Sequence, residues 1–114
     1  MSAIAVFTDQ HDYYLYNGPV DMRKSIDGLS GIVLNELGRD PGNRDVFIFL
    51  NRRGTHIKLL LKETDGYTLF YRRLHKGRFR APDTDQDGTA LRLTATELWS
   101  LLYGLSLQYS KKTG

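Results

Sequence analysis

The sequence predicts an α+β domain in which two α-helices pack on an antiparallel β-meander. Three observations favour this fold class. Residues 46–50 form a continuous apolar run, which is typical of a central strand covered on both faces. Residues 56–62 alternate between apolar and polar side chains ahead of a hairpin signal, Asp65-Gly66. One further segment has the apolar spacing of an amphipathic helix, and a capping-box sequence opens a second helix.

The first half of the chain is expected to hold two short strands and one helix. Residues 4–7 and 13–16 have strand composition, and a turn signal, Asn17-Gly18-Pro19, follows them. Asp21 is the predicted N-cap of a helix over residues 22–37, with Gly38 near its C-terminus. Apolar residues recur on one face of this helix at steps of three or four positions: Met22, Ile26, Leu29, Val33 and Leu37.

The second half is expected to complete the meander and add the second helix. Strands are predicted over residues 56–62, 67–74 and 90–93, with a polar loop before the last of them. Thr94 and Glu97 have the spacing of a capping box, which opens a helix to about Tyr103. The remaining residues 105–114 are expected to be a short docked segment and a frayed tail. In the strand 56–62, one face holds Ile57, Leu59 and Leu61, and the other holds His56, Lys58, Leu60 and Lys62.

Length and composition exclude several classes of protein. All 114 residues are expected to form one domain, because a single domain typically takes about 100–200 residues. Since the chain has no cysteine, disulfides and thiolate metal sites are excluded. The apolar runs are much shorter than the roughly 20 residues that span a bilayer, and the first residues lack the basic region of a signal peptide. We therefore expect a cytoplasmic protein with no membrane partner.

Positive charge is concentrated in one part of the chain. Residues 52–80 hold nine lysines or arginines and two carboxylates, a net charge of +7. The other 85 residues hold seven cations and eleven carboxylates, a net charge of −4. Clustered cations produce the field that a polyanion-binding surface needs, so this asymmetry favours a nucleic-acid partner. The alternative is an ordinary solvated strand face.

The aspartates of the polar loop are the candidates for metal chemistry. Asp83, Asp85, Asp87 and Gly88 have the spacing that opens a calcium-binding loop, but the twelfth position holds Thr94 where such a loop needs a bidentate glutamate. The same carboxylates are the candidates for a two-metal nuclease. We expect a solvated turn instead, with no metal, no cofactor and no enzymatic activity. The three histidines show no metal-ligand spacing.

Two basic motifs depart from local rules. In D21-M-R-K24, two cations would lie in the first turn of the predicted helix, where the helix dipole disfavours them but where free amides bind anions. The alternative is a pair between Arg23 and Asp27, one turn on. In Y71-R-R-L-H-K-G-R-F-R80, basic residues alternate with aromatic ones, so cations can hold phosphates while rings stack or pack beneath them. We expect Phe79 to be buried, with Arg78 and Arg80 pointing outward.

These motifs, with two others, resemble one protein family. V20-D-M-R-K24, R53-G-x-x-I-K58, Y71-R-R-L-x-x-G-R-F79 and L93-T-A-T-E-L98 occur in the order found in the small TnpB-type accessory protein of insertion-sequence-66 transposons. That protein is the product of the second open reading frame of these bacterial elements. The resemblance covers residues 13–107. It implies a role in transposition beside a separate transposase, which carries out the strand-transfer chemistry.

One function is therefore expected, and two others are kept as alternatives. The first is a non-enzymatic accessory factor that binds DNA, either transposon ends or duplex of any sequence. The second is an adaptor for the transposase or for another copy of the chain, through either the sheet face or the C-terminal helix with Leu98, Trp99, Leu102 and Tyr103. The third is an independent nuclease that uses the aspartates of the polar loop. The predicted phosphate-binding surface consists of eight cations: Arg23, Lys24, Arg53, Lys58, Arg72, Arg73, Arg78 and Arg80.

Overall fold

The computed structural model describes residues 8, 10–39, 44–81 and 88–104 of the chain. Within these residues, five strands and two helices follow one another along the sequence. They are β1 (Asp12–Pro19), α1 (Ile26–Asn35), β2 (Asp45–Leu50), β3 (His56–Glu63), β4 (Gly66–Arg73), β5 (Ala90–Leu93) and α2 (Ala95–Tyr103). The α+β class is confirmed.

The strands form one mixed sheet in the order β4-β3-β2-β1-β5. Strands β2, β3 and β4 form the predicted antiparallel meander, and the continuous apolar strand β2 lies at the centre of the whole sheet as expected. Strand β1 pairs with β2 in parallel, because the crossover through α1 returns the chain to the end of the sheet from which it started. Strand β5 pairs antiparallel to β1 and forms the second edge.

The two helices cover opposite faces of the sheet. Because successive strand residues point to opposite faces, the continuous apolar run of β2 supplies both cores. The core beneath α1 consists of Val20, Leu29, Ile32, Val33, Phe47, Phe49 and Leu60. The core beneath α2 consists of Tyr13, Leu15, Val46, Ile48, Ile57, Leu59, Leu61, Phe79, Leu93, Leu98, Leu101 and Leu102. The predicted alternation of β3 is confirmed, since Leu60 lies in the first core and its neighbours in the second.

Helix α2 begins and ends as predicted, whereas α1 begins later. The Thr94 hydroxyl accepts from the amide of Glu97, the Glu97 carboxylate accepts from the amide of Thr94, and Gly104 ends the helix with φ 66°. The predicted start of α1 at residue 22 is wrong, because Ser25 is its N-cap and Ile26 its first residue. Residues 21–24 form a separate turn.

Several predictions lie outside the described residues. They are the strand over residues 4–7, the aspartates of the polar loop at 83, 85 and 87, and the tail over residues 105–114. Across the described ranges, neither helix has the length and apolar composition required to cross a membrane.

Candidate nucleic-acid interface

Four strands place their connections at one end of the sheet. The last residues of β1 and β2 lie side by side in the register. The first residues of β3 lie between the last residues of β2 and the last residues of β4. The turns 20–25 and 51–55 and the segment 74–81 therefore lie at this end. We call these three segments, together with Arg72 and Arg73, the basic end.

The basic end concentrates positive charge. Its residues include nine lysines or arginines and one carboxylate, that of Asp21. Two of the cations, Arg52 and Lys76, were not among the predicted site residues and are also exposed. Seven of the eight predicted cations belong to it, and all seven are exposed: Arg23, Lys24, Arg53, Arg72, Arg73, Arg78 and Arg80.

The turn over residues 21–24 is organised by the carboxylate of Asp21. Its Oδ1 accepts from the amide of Arg23 at 2.8 Å, and the amide of Lys24 donates to the Asp21 carbonyl at 3.0 Å. The Arg23 guanidinium binds the same carboxylate, 2.7 Å from its Oδ2, and holds the Asp21 pKa at about 2. Arg23 therefore pairs with Asp21 and not with Asp27, and the two cations precede the helix and do not occupy its first turn. Since Arg23 is 91% exposed, its outer surface faces solvent.

Lys58 is the exception among the eight predicted cations. It is 6% exposed, and its Nζ donates to the carbonyls of Met22 and Lys24, at 2.7 Å each. Because this ammonium is directed into the protein, the expected phosphate contact of Lys58 has to be corrected: the side chain supports the turn. Two motifs that the sequence shows far apart, D-M-R-K and G-x-x-I-K, are thus joined by one side chain.

The turn over residues 51–55 presents Arg52 and Arg53. The Asn51 side chain closes it, since its Oδ1 accepts from the amides of Thr55 at 2.9 Å and His56 at 3.0 Å. Gly54 adopts φ 73°, and a Cβ on it would lie 3.3 Å from the carbonyl oxygen of Phe79. A glycine is therefore required both by the backbone conformation and by the approach of the next segment.

The segment over residues 74–81 is fastened to this turn at two points. The amide of Leu74 donates to the Thr55 carbonyl at 2.9 Å, and the amide of Phe79 donates to the Gly54 carbonyl at 2.7 Å. Phe79 is 5% exposed and belongs to the core beneath α2. Arg78 and Arg80 flank it and are exposed, as predicted.

Arg72 and Arg73 point to opposite faces of the sheet. The Arg72 guanidinium lies 5.0 Å from the ring centroid of Tyr103, on the α2 side. Arg73 faces His56 in the register and so lies on the α1 side. The predicted cations thus share one end of the sheet, whereas the expectation of one continuous face is not met at these two residues.

The opposite end of the sheet is richer in carboxylates. Asp12 begins β1 and pairs with Arg92 at 2.7 Å, and Asp45 begins β2 and lies 3.9 Å from Arg39. Glu63 ends β3 and accepts a hydrogen bond from the Thr68 hydroxyl. The molecule is therefore electrically polarised along its strands.

The aspartates proposed for metal chemistry lie outside the described residues, and helix α2 is only partly buried. No group of three or more metal-ligating side chains occurs within the described ranges. On α2, Leu98 and Leu102 belong to the core, while Tyr103 is 53% exposed and stacks on Trp99 with ring centroids 5.3 Å apart. The end of α2 thus presents an aromatic surface.

Comparison with known proteins finds two relatives and one family model that match the chain. Two proteins of Sinorhizobium fredii, each described as uncharacterized, are similar to this chain. The protein y4hO is 29% identical over 100 residues, which cover 88% of this chain and 85% of that protein. The protein y4jC is 32% identical over 87 residues, which cover 76% of this chain and 73% of that protein. No solved structure matches the chain.

The sequence model of one family, described as IS66 Orf2 like protein, matches residues 11–112. The match includes the turn 21–24, both basic segments and the capping box of α2, so it spans every element on which the site depends. It confirms the resemblance drawn from the four motifs. The chain belongs to the IS66 Orf2-like family and is a transposition-associated accessory protein.

Proposed function

We propose that this chain binds DNA through the basic end and acts without catalytic activity of its own, beside the transposase of the same element. The separation of charge along the strands carries the proposal. Nine cations converge on one end, seven from three connecting segments and two from the end of β4, and the single carboxylate among them is paired with Arg23. Such a surface neutralises phosphates, which dominate the affinity of proteins for DNA.

The basic end suits a duplex of any sequence as a first ligand. Most of its cations lie on connecting segments that hydrogen bonds fasten to the sheet, and phosphate contacts of this kind position a protein without specifying a base. If about five phosphates are neutralised, log K falls against log salt with a slope of roughly −4.5. Preference for a transposon end would then add to this salt-dependent affinity.

The experiment is a binding titration of duplexes that carry a transposon end or a scrambled sequence, across a salt series. The decisive variants are two exposed arginines, each paired with an aspartate at 2.7 Å but located at opposite ends of the sheet. Arg23→Gln should lower the affinity about threefold to tenfold and make the salt slope shallower by about 1. Arg92→Gln should leave both quantities unchanged. Equal effects of the two variants would contradict the proposal.

The second candidate function is an adaptor, and the exposed aromatic surface at the end of α2 favours it. Tyr103 and Trp99 lie there side by side, on the face of the sheet that Arg72 borders. A transposase or a second copy of the chain would contact these rings. Co-purification with the transposase, and its loss in Tyr103→Ser with DNA binding retained, would support the adaptor.

A further inference from the structure

Tyr71 is an exposed aromatic ring in the midst of the cations on the α1 side of the sheet. It lies on the edge strand β4 opposite Lys58 in the register, and it is 54% exposed. The Lys58 Nζ lies 4.9 Å from its ring centroid, and the His56 ring lies 5.9 Å away at an interplanar angle of 26°. Both groups come from the neighbouring strand β3, so they support the ring from the sheet side and leave its outer surface open.

The two supports of this ring are themselves fixed. Lys58 is held by its two carbonyl acceptors, and the His56 Nδ1 lies 2.7 Å from the Thr55 hydroxyl and 3.1 Å from the Asn51 amide nitrogen. Because the supports are hydrogen-bonded to the turns of the basic end, the orientation of the ring is tied to the position of the cations. A ring held in this way loses little freedom when a planar ligand stacks on it.

Cations border the ring on the same face. Arg73 lies two positions further along β4, opposite His56, and the Lys58 ammonium lies over the ring while it donates to the main-chain carbonyl of Lys24. An open aromatic surface bordered by phosphate-binding cations is the arrangement on which unpaired bases of nucleic acids stack. The bases of an intact duplex are stacked on one another and do not offer their faces to such a ring.

We propose that Tyr71 is a stacking platform for an unpaired base of a DNA strand, which makes the basic end a site for single-stranded or melted DNA as well as for duplex. The inference rests on the proposed DNA binding and deepens it. Tyr103, which is 53% exposed on the other face, has an Arg72 guanidinium over its ring and stacks on Trp99. It therefore provides a control of equal exposure outside the proposed platform.

The test measures binding of a 12-nucleotide single strand and of a blunt duplex, across a salt series, to the full chain and its variants. Tyr71→Leu, which keeps an apolar cover over Lys58, should bind the single strand about tenfold more weakly and the duplex within twofold of the wild type. Tyr71→Phe and Tyr103→Leu should bind both ligands as the wild type does. Because stacking releases no counterions, Tyr71→Leu should keep the salt slope of the wild type.

The outcomes separate the two proposals. If the wild type binds neither ligand, the DNA-binding proposal fails and this inference fails with it. If the wild type binds both ligands but Tyr71→Leu binds the single strand normally, or weakens both ligands equally, only the platform is contradicted. A loss of the same size in Tyr71→Phe would also contradict stacking. Tighter binding of an RNA strand of the same sequence would overturn the assignment to DNA.

Discussion

The two faces of the sheet are packed in different ways. Among the described residues, the face beneath α2 holds twelve that are buried in its core, all of them apolar or aromatic. The face beneath α1 holds seven such residues and, on the same face of β3, the buried ammonium of Lys58. A buried charge destabilises a fold unless hydrogen bonds compensate it, and two main-chain carbonyls do so here.

The face beneath α2 therefore contributes to stability alone, whereas the face beneath α1 also fixes the position of surface residues. On the α2 side, Ile57, Leu59 and Leu61 of β3 are buried in the core. On the α1 side, Lys58 fixes the turn that presents Arg23 and Lys24 and supports the ring of Tyr71.

The largest effects are expected from two adjacent leucines of β3 that point into the two cores. Leu59 is 1% exposed beneath α2, and Leu60 is 0% exposed beneath α1. Leu59→Ala and Leu60→Ala should each lower the free energy of unfolding by about 2–5 kcal/mol, since each leaves a cavity in a packed core. Urea unfolding measures both. A loss below about 1 kcal/mol for Leu60→Ala would mean that the α1 face contributes little to stability.

The next effect is expected from Lys58 itself. Lys58→Met should lower the free energy of unfolding by about 1–3 kcal/mol, because the carbonyls of Met22 and Lys24 lose a charged donor. Lys62 lies on the same strand and the same face but is partly exposed, so Lys62→Met is expected to stay within about 0.5 kcal/mol.

A second measurement distinguishes local support from general stability. In Lys58→Met, amide hydrogen exchange should accelerate at Lys24, whose amide donates within the turn 21–24, more than at Leu74. Unchanged exchange at Lys24 would contradict the assignment of Lys58 as the support of the turn.

The sheet could be predicted where burial alone determines the pattern. The continuous apolar run of β2 follows from the burial of both of its faces, and the alternation of β3 follows from the opposite directions of successive side chains. Both patterns were therefore visible in the sequence. The parallel pairing of β1 with β2 was not visible in the sequence, because the direction of a strand depends on where the α1 crossover packs. The start of α1 was misplaced because aspartate is favoured both at the N-cap of a helix and in a turn, and Asp21 alone does not distinguish them. The contacts that decide between them come from Lys58, on a strand two elements further along the chain.

The cations of the candidate site could be predicted from the sequence, but their convergence at one end of the sheet could not. Charge clustering along the chain indicated the exposed arginines, including Arg78 and Arg80 on either side of Phe79. Their convergence at one end depends on the register of four strands, which local patterns do not determine. The alternation of β3 placed Lys58 on the polar face, but only the packing of α1 shows that this face is buried at that position.

Smaller effects are expected from the caps of the two helices. Thr94 caps α2 through its hydroxyl in a reciprocal pair with Glu97, whereas Ser25 at the start of α1 makes no side-chain capping bond. Thr94→Ala should therefore lower the free energy of unfolding by about 1 kcal/mol, and Ser25→Ala by no more than a few tenths. Thermal and urea unfolding of the two variants give the comparison. A loss of equal size in Ser25→Ala would show that α1 needs a conventional cap in addition to the turn held by Lys58.

The smallest effect is expected at Asp21, in the turn that Lys58 holds. Hydrogen bonds from the Arg23 side chain and amide lower the pKa of its carboxyl from about 3.8 to about 2. Since the folded-state pKa is the lower one, the ionised carboxylate stabilises the fold above about pH 4, and this contribution disappears as the pH falls towards 2.

The exposed position of Asp21 makes a chemical-shift titration of its carboxyl carbon more sensitive than unfolding. The pKa in the wild type should lie near 2, and Arg23→Gln should return it towards 3.8, because the side-chain hydrogen bond is its largest cause. Lys58→Met should raise it by less, since Lys58 holds the carbonyls of the turn and does not touch the carboxylate. A pKa unchanged by Arg23→Gln would mean that the pair does not persist in solution and that Arg23 is free to meet a phosphate without first leaving Asp21.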